Sequence, residues 1–568
     1  MELAEGNTDC GAIRESQPDP ARSENLCMCG ISMRENREVP WSPTGRSPGG
    51  PPREGRVRKP GMNGHGKSDS PVVPAKPPNK ALAAEVVEER GLAEGNTDRP
   101  TRPGRSAGSG VPRGLDRVRE VARKDKEARF TALLHHVDVA RLWNAYWALN
   151  PKAATGVDGQ TWDSYGQNLE ANLRDLHQRV HSGRYQARPT RRAYIPKADG
   201  RLRPLGVAAL EDKILQRAVV EVLNAIYEED FLGFSYGFRP GRGPHDALDA
   251  LAVGIRRKKV GWVLDADIRD FFGQLDRVWL QKFLEHRIAD RRVLRLITKW
   301  LDAGVIEDGK WTATEAGAPQ GASASPLLAN VYLHYVLDRW AQQWRKRHAR
   351  GDMVIVRFAD DFAAGFEHLG DAKQFLTDLR QRFARFGLDL HEDKTRLIQF
   401  GRFAAERRAE HGLGKPETFD FLGFTHICAR TRGGRFFLKR ITISKRKRAK
   451  LKQVKDQLKR RRHEPLPVQG AWLASVVRGH AAYYAVPGNI NAVSSFRTQV
   501  TRSWYRALRR RSQRTRVNWN RMDRLAARWL PPVRVMHPYP EARFDARHPR
   551  QEPSAVVPHA GICAGGRP

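Results

Sequence analysis

The sequence predicts a protein of mixed α and β structure, an α+β region followed by a helical and strongly basic region. Strand-like and helix-like segments alternate from residue 156 to about 424, with short turn signals between them. From 441 to 530 the pattern becomes helical, and 23 Lys and Arg face only three acids. Because 568 residues exceed what one hydrophobic core supports, we expect several folded units.

The charge of the chain indicates a polyanionic partner. Lys and Arg number 100 against 63 Asp and Glu, a formal charge of +37. Such a charge destabilises a compact chain unless polyanions neutralise it, so nucleic acid is the first candidate. No apolar run is long enough to span a membrane, and the polar N-terminus does not resemble a signal peptide. Five cysteines argue against a disulfide scaffold and indicate a reducing compartment. Together with the absence of an export signal and the polyanionic partner, they predict a bacterial-type cytoplasmic, nucleoid-associated location, with an organelle as the alternative.

The two ends of the chain differ from its middle. Residues 1–112 are rich in Pro, Gly, Arg and Ser, and we expect them to be disordered. Order is predicted to begin near Leu115, with a helix between Val137 and Leu149. The tail after 530 is rich in Pro, His and Arg, and we expect it to be irregular, either docked or loose.

Two adjacent acids interrupt an apolar strand pattern. Residues 353–358 are strand-like, Asp360 and Asp361 break the run, and residues 362–366 resume as a second strand. Two acids at one turn repel each other, a cost that a bound cation relieves. Taken alone, such a pair is more often ordinary turn chemistry.

A second strand also ends in acids. The run from Gly261 is apolar until Asp265, and Asp267 follows where the strand should stop. Asp267, Asp360 and Asp361 together would supply the carboxylates of a two-metal phosphoryl-transfer site, in which Mg²⁺ prefers oxygen ligands. On its own, Asp267 is equally well explained as a helix N-cap.

The segment between these strands predicts a loop and a helix. Ser325 is a natural N-cap with Pro326 at the first helical position. The loop 317–321 contains two glycines and a proline, which would let its backbone approach a nucleic-acid strand closely. A plain strand-to-helix connector is the alternative.

Aromatic residues interleave with the basic residues of the helical region. Scarce acids and interleaved rings favour an RNA-binding surface over a merely solvated face. The aromatic residues are Trp472, Tyr483, Tyr484, Trp504, Tyr505 and Trp519.

Taken together, these segments resemble reverse transcriptases, and specifically the branch encoded by group II introns. The matching segments follow the family's order: Gly156–Gly159, Tyr194–Gly206, Ser235–Arg242, Asp267–Ile268, Gly317–Gly321 with Ser325–Asn330, Phe358–Asp361, Glu392–Thr395, Phe421–Phe424 and Arg478–Tyr484. The resemblance covers about 115–530 and implies a right-hand polymerase with fingers, palm and an α-helical thumb. It implies these boundaries: 113–255 for an N-terminal extension and fingers, 256–430 for the palm, 431–530 for the thumb or maturase domain, and 531–568 for a basic tail.

The resemblance also implies roles for individual residues. Two Mg²⁺ ions would be held by Asp267, Asp360 and Asp361 with the Ile268 carbonyl. Nucleotide-binding residues would be Lys197, Arg203, Phe272 and Gln320. Template or primer contacts would come from Arg239, Arg242, Phe358 and Lys394. Intron RNA would contact Arg478, Tyr483 and Tyr484.

Some of these roles have simpler alternatives, and two positions depart from the family pattern. Phe272 would exclude a 2′-hydroxyl and so select dNTPs, but it could also be a core aromatic. Lys394 could be a surface lysine. Phe358 stands where relatives carry Tyr, and Gly273 where they commonly carry Asp.

The resemblance implies an RNA-directed DNA polymerase that also assists intron splicing and mobility. Its partners would be intron RNA, an RNA template with a DNA primer, target DNA and dNTPs. The tail lacks paired metal-ligand spacing, so we expect no endonuclease domain. Alternatives are a retron-like or domesticated reverse transcriptase, an RNA-directed RNA polymerase, a non-catalytic RNA-binding splicing factor, and a basic scaffold protein.

Overall fold

The protein is an α+β structure built from three sheets and many helices. A computed structural model describes residues 114–196, 202–313 and 317–547. The disorder predicted for residues 1–112 concerns residues outside these ranges. Across the described ranges, none of the helices combines the length and apolarity needed to cross a bilayer.

The described elements are numbered along the chain. The helices are α1 (Gly114–Lys124), α2 (Val139–Trp147), α3 (Trp162–Gly166), α4 (Leu169–His181), α5 (Leu210–Asp230), α6 (Pro244–Arg257), α7 (Phe271–Gln274), α8 (Arg277–Glu285), α9 (Arg291–Asp302), α10 (Ser325–Leu333), α11 (Arg339–Arg347), α12 (Leu369–Ala384), α13 (Ala404–Glu410), α14 (Ser444–Arg460), α15 (Leu466–Tyr484), α16 (Ile490–Arg509), α17 (Trp519–Trp529) and α18 (Pro540–Arg547). A π-helical turn, His334–Asp338, joins α10 to α11. The strands are β1 (Thr190–Pro196), β2 (Leu202–Val207), β3 (Trp262–Asp267), β4 (Val305–Glu307), β5 (Lys310–Thr312), β6 (Met353–Phe358), β7 (Asp361–Phe366), β8 (Arg396–Gln399), β9 (Phe419–Phe421), β10 (Phe424–Arg430) and β11 (Phe436–Thr442).

The first sheet has the strand order β2-β1-β4-β5. Strands β1 and β2 form an antiparallel pair, whereas β4 runs parallel to β1. Short β4 and β5 form their own hairpin at the edge of this sheet. Tyr194 on β1 donates a hydrogen bond to Glu307 on β4 at 2.5 Å, which ties the two strands together at the surface.

The central sheet has the order β6-β7-β3-β8, and all its neighbours are antiparallel. The strands predicted at 353–358 and 261–267 are present as β6 and β3. Strand β6 is a β-branched run, and Val354, Ile355 and Val356 are buried. Helix α6 packs closely on it because Gly254 has no side chain: a Cβ there would lie 2.7 Å from a Val354 methyl group.

The basic region is helical, as predicted, and has its own small core. A third sheet, β11-β10-β9, leads into helices α14 to α17. Their core contains Val454, Leu458, Leu473, Val477, Phe496, Val500, Trp504, Leu508, Met522, Ala526 and Leu530. Trp504 is fully buried, and its ring N–H donates to the buried Gln469 side chain at 2.8 Å. Trp504 therefore belongs to the core, not to the RNA-binding surface to which the sequence assigned it.

Ser325 is not the N-cap that the sequence predicts. Helix α10 begins at Ser325 itself, and Ala324 occupies the capping position. The Ser325 hydroxyl donates instead to the Pro319 carbonyl at 2.7 Å. The preceding loop folds back over the helix start, so this carbonyl takes the hydroxyl that would otherwise cap the helix.

The described part of the C-terminal tail is docked and partly helical. Helix α18 lies along α6, and Arg543 pairs with the buried Asp249 at 2.9 Å. Asp249 also accepts a hydrogen bond from Arg440 of β11 at 2.8 Å. Upstream of α18, the Met536 amide donates to the Ala485 carbonyl, just past the end of α15. The sequence left open whether this tail is docked or loose, and as far as Arg547 the structure shows it docked.

Candidate active site

The turn between β6 and β7 carries Asp360. Phe358 and Asp361 are paired across the turn, which leaves Ala359 and Asp360 as its two central residues. Ala359 has φ of 59°, a left-handed conformation that residues with a side chain rarely adopt. A Cβ at Gly237 would lie 2.2 Å from the Ala359 nitrogen, so the backbone at Gly237 rests directly on the turn. Tertiary packing therefore holds the turn in a strained shape.

A buried arginine connects this turn to the rest of the fold. Arg357 is fully buried, and two of its nitrogens donate to the Asp338 carboxylate at 2.7 and 2.6 Å. It also donates to the Ser235 hydroxyl at 2.7 Å, to the Asn330 side-chain oxygen at 3.0 Å and to the Ala359 carbonyl at 2.9 Å. One guanidinium thus joins the Ser235 segment and the helical segment of Asn330 and Asp338 to the turn that carries Asp360.

Asp267 and Asp361 lie opposite each other in the central sheet. Strands β3 and β7 are antiparallel, and the register pairs Asp267 with Asp361. Directly opposed residues of an antiparallel pair have Cβ atoms about 5 Å apart and share one face of the sheet. Asp265, two residues before Asp267, lies on that face as well. Acids almost a hundred residues apart in sequence are therefore neighbours.

The acids strongly perturb one another. Burial, together with the charges of Asp360, Asp265 and Asp267, raises the pKa of Asp361 well above its ordinary value. Burial and the charge of Asp267 also raise the pKa of Asp360. Burial raises the pKa of Asp265 to about 6. Ionising these carboxylates therefore destabilises the fold, and a bound cation or protonation would relieve that cost.

Three basic side chains partly compensate the acids. Lys394 forms an ion pair with Asp267 through its ammonium group. The positive charge of Arg203, on β2, acts to lower the pKa of Asp360. The positive charge of Arg446, on α14, likewise acts to lower the pKa of Asp361. The acids thus lie where β2, the central sheet and α14 approach one another.

The donor atoms at this site suit a hard divalent cation. Carboxylate oxygens are the ligands that Mg²⁺ prefers, and their unbalanced negative charge favours a cation. Ile268 and Leu390 form an isolated antiparallel bridge. Its two hydrogen bonds come from the flanking residues: the Arg269 amide donates to the Asp389 carbonyl, and the His391 amide donates to the Asp267 carbonyl, both at 2.8 Å. It therefore leaves the Ile268 carbonyl out of the bridge bonds. In the part of the chain that the structure describes, no group of three or more Asp, Glu, His or Cys side chains is placed so that it could hold a metal ion by itself.

Phe272 lies close to the glycine-containing loop. Its half-buried ring packs edge-on against Phe271, with 5.3 Å between ring centroids. The Phe272 carbonyl accepts a hydrogen bond from Ala318 at 2.9 Å. A Cβ at Gly317 would lie 2.4 Å from that same carbonyl. The glycine is thus required by this close approach.

Gln320 connects the same loop to the first sheet. Its carbonyl accepts a hydrogen bond from the Gly206 amide of β2 at 2.6 Å. Arg203, exposed on the same strand, is paired with Ile195 of β1. Lys197, which the sequence predicts to work with Arg203, lies outside the described residues.

The predicted template and primer contacts occupy different environments. Arg239 is buried, and its guanidinium is taken up by Glu228 and by the Leu232 and Ser235 carbonyls. Arg242 is half-buried, and it donates to the Gly233 carbonyl at 2.7 Å and lies over the Tyr236 ring. The arrangement gives both arginines a structural role, so a direct contact with nucleic acid remains a prediction for them.

Phe358 is half-buried beside the turn. Its ring centroid lies 6.4 Å from that of Phe238, whose side chain is exposed. The two rings form an apolar surface next to Asp360.

The three predicted RNA contacts in α15 are divided between surface and interior. Arg478 is exposed. The Tyr483 hydroxyl donates to the Leu422 carbonyl at 2.7 Å, and both Tyr483 and Tyr484 pack against Phe424. These tyrosines attach α15 to the third sheet, which leaves Arg478 as the one of the three that faces solvent.

Sequence reasoning missed the network that supports the site. Arg357, Asp338, Ser235 and Asn330 were not recognised as a unit, because they are spread over more than a hundred residues. One signal was available: Arg357 is the single charged residue within the apolar run 353–358, and buried arginines are rare unless they are paired.

The chain is similar in sequence to known proteins. Residues 195–426 match the sequence model for reverse transcriptase (RNA-dependent DNA polymerase). Protein YkfC of Escherichia coli is 36% identical, over 36% of this chain and 62% of that protein. The group II intron-encoded protein LtrA of Lactococcus lactis is 33% identical, over 42% of this chain and 39% of that protein. Nuclear intron maturase 3, mitochondrial, of Arabidopsis thaliana is 27% identical, over 31% of this chain and 23% of that protein.

The matched region, residues 195–426, contains the strands and the turn that carry the acidic residues. Among the relatives are proteins named as group II intron-encoded and as an intron maturase. Over part of its length the chain is therefore similar to reverse transcriptases and to a protein encoded by a group II intron. It spans 62% and 39% of the lengths of YkfC and LtrA.

The network predicts a large and asymmetric cost for removing Arg357. Arg357→Met should lower the free energy of unfolding by about 3–5 kcal/mol, because Asp338 would remain as an uncompensated buried charge. The double variant Arg357→Met/Asp338→Leu should recover much of that loss. Urea unfolding followed by circular dichroism measures both.

The matched control is Arg174→Met, which removes an exposed pair with Glu170 on α4. It should cost less than about 1 kcal/mol. An Arg357→Met loss no larger than that of the control would show that the network does not stabilise the fold.

Proposed function

We propose that this chain is an RNA-directed DNA polymerase encoded by a group II intron, and that it also acts as a maturase for intron RNA. The observation that carries the polymerase proposal is the pairing of Asp267 with Asp361 beside Asp360, within the matched reverse transcriptase region. Clustered acids destabilise a fold unless they bind cations, so their presence favours a catalytic role for them.

The proposed reaction is attack of a primer 3′-hydroxyl on the α-phosphorus of a dNTP, directed by an RNA template. A new bond forms between the 3′-oxygen and phosphorus, and the bond to the β-phosphate oxygen breaks to release pyrophosphate. Asp267, Asp360, Asp361 and the Ile268 carbonyl would hold two Mg²⁺ ions. When bound, these ions would polarise the attacking hydroxyl and stabilise charge on the leaving group.

Residues around the acids would position the nucleotide. Lys197 and Arg203 would hold the triphosphate, and the influence of Arg203 on the pKa of Asp360 supports this role. Phe272 would lie under the sugar, and Gln320 beside the new base pair. The close contact between the Gly317 loop and Phe272 supports a shared pocket.

Other residues would contact the template and primer. Phe358 would pack beside the primer end, and Lys394 would guide its backbone. We assign Arg239 and Arg242 mainly to holding the segment under the turn, because their guanidiniums already have partners there.

The proposed organisation follows a right-hand polymerase. Residues 113–255 would include the fingers, 256–430 the palm and 431–530 the thumb. The separate hydrophobic core of α14 to α17 supports the thumb as a distinct unit.

The maturase activity would depend on binding. Residues 441–530 carry 23 Lys and Arg against three acids, so they would bind the phosphates of intron RNA. Selective affinity for the folded RNA would stabilise its splicing-competent shape. Target DNA would be a further partner during intron mobility, which is consistent with an association with the bacterial nucleoid.

Primer extension on an RNA template tests the polymerase proposal. Asp360→Asn should reduce extension with dNTPs by roughly a hundredfold or more, because a lost metal ligand removes several kcal/mol of charge stabilisation. Binding of the primer–template should remain within about twofold.

Asp308→Asn is the matched control, because Asp308 is an exposed acid in the β4–β5 turn. It should extend primers at the wild-type rate. Equal extension by Asp360→Asn and wild type, or none by either, would refute the proposal and favour an RNA-binding splicing factor.

Sugar selection tests the role of Phe272. Phe272→Ala should lower the preference for dNTPs over rNTPs by roughly tenfold to a hundredfold, because a cavity would replace the ring below the 2′-position. Single-nucleotide incorporation with paired dNTP and rNTP substrates measures the preference.

Phe272→Tyr keeps the bulk and should keep the preference, and Phe403→Ala removes a ring far along the chain. An unchanged preference in Phe272→Ala would assign Phe272 to packing alone.

A further inference from the structure

A cavity lies between α16 and α17, away from the acids. Its volume is about 570 Å³, which is in the size range of sites for small organic ligands. Only two kinds of side chain line it, arginines and aromatic rings: Arg502, Tyr505, Arg506, Arg509, Arg510 and Trp519. This combination is unusual for a plain solvated surface.

The arginines form a continuous positive wall. Arg502, Arg506 and Arg510 follow one another at four-residue spacing, so they project from one side of the chain. All four guanidinium-bearing side chains of the cavity are exposed. No ion pair joins any of them to an acid among the residues that the structure describes. Their charge is therefore available to an anionic ligand.

The aromatic rings form a stacked pair at the same place. Tyr505 and Trp519 stack with 4.2 Å between ring centroids and an interplanar angle of 25°. Trp519 remains 45% exposed, although large aromatic side chains are usually buried. The Arg509 guanidinium lies over the Tyr505 ring, 5.8 Å from its centroid.

Helix α16, which carries most of the residues that line the cavity, is anchored in the core of the helical region. Trp504, next to Tyr505, is fully buried in the core of the helical region and is fixed by its hydrogen bond to Gln469. The direction of α16 is thereby set, so the exposed rings are presented on a prepared surface. A prepared surface lowers the entropic cost of ordering a ligand.

We propose that this pocket binds one unpaired nucleotide of a single-stranded nucleic acid. The base would stack on the Trp519–Tyr505 pair, and the flanking phosphates would contact the arginines. A duplex keeps its bases stacked inside and could offer only phosphates. The inference rests on the proposed RNA-binding role of the helical region and gives that role a definite site.

Equilibrium binding of the full-length chain tests the pocket. The probes are a fluorescently labelled single-stranded RNA of twelve nucleotides, the same sequence as DNA, and a blunt RNA duplex. Trp519→Ala should weaken single-strand binding roughly fivefold to a hundredfold, leaving the salt dependence of binding unchanged. Duplex binding should not change. Comparing the RNA and DNA arms identifies which strand the pocket prefers.

The arginines should behave in the opposite manner. Arg506→Gln should weaken binding to both single strand and duplex, and should reduce the slope of log K against log salt for single strands by about 0.7. Arg380→Gln, an exposed arginine on α12, is its control.

Two further variants protect the test from misfolding. Trp519→Phe keeps a ring and should restore most of the affinity, and Tyr539→Ala removes an exposed aromatic elsewhere. Equal loss of single-strand and duplex binding in Trp519→Ala, or no loss at all, would overturn the proposal and indicate a general polyanion surface. The proposal would also be overturned if poly-glutamate competed for binding as effectively as RNA of equal charge.

Primer extension by Trp519→Ala, at saturating preannealed template, separates this inference from the proposed polymerase. Extension at the wild-type rate together with weakened single-strand binding supports the pocket. If the wild type did not extend primers, only the polymerase proposal would be refuted. If Trp519→Ala bound single strands with unaltered affinity, only the proposed pocket would be refuted.

Discussion

The ion pair between Arg357 and Asp338 is the constraint on which the active-site geometry depends. Both side chains are fully buried, so each needs the other's charge. Arg357 also holds the Ala359 carbonyl, and Asn330, one of its partners, donates to the Gly237 carbonyl at 2.7 Å. A strained turn is thereby fixed from both sides, and Asp360 is presented at a defined position rather than on a mobile loop.

The active site also brings several negatively charged side chains close together, which is electrostatically unfavourable. The register of β3 and β7 brings Asp267 opposite Asp361, and the turn adds Asp360. Burial and mutual repulsion raise the pKa of Asp361 and Asp360, and Lys394 compensates only part of the charge at Asp267. The stability of the core elsewhere must offset this cost, which is common where a fold carries a reactive site.

Local sequence patterns predicted the strands and helices, whereas the roles of individual side chains depend on long-range packing. The β-branched run of β6 and the acids at two strand ends were readable because each signal is local. The partners of Arg357 were not readable, since 235, 330 and 338 become neighbours only in the fold. Trp504 and Trp519 illustrate the same limit: both interleave with arginines in sequence, yet Trp504 is buried in the helical core and Trp519 is 45% exposed. Helix phase and tertiary contacts, not residue type, separate them.

Thermal unfolding of the wild type and of Asp361→Asn, with EDTA and then with MgCl₂ at matched ionic strength, tests whether the clustered acids repel one another and bind a cation. Asp361→Asn should melt at a higher temperature than the wild type in EDTA, because one repelling carboxylate is gone. Mg²⁺ should raise the melting temperature of the wild type but not that of the variant. A variant that melts at a lower temperature than the wild type in EDTA, and whose melting temperature rises as much with Mg²⁺, would show that the acids neither repel one another nor bind the cation.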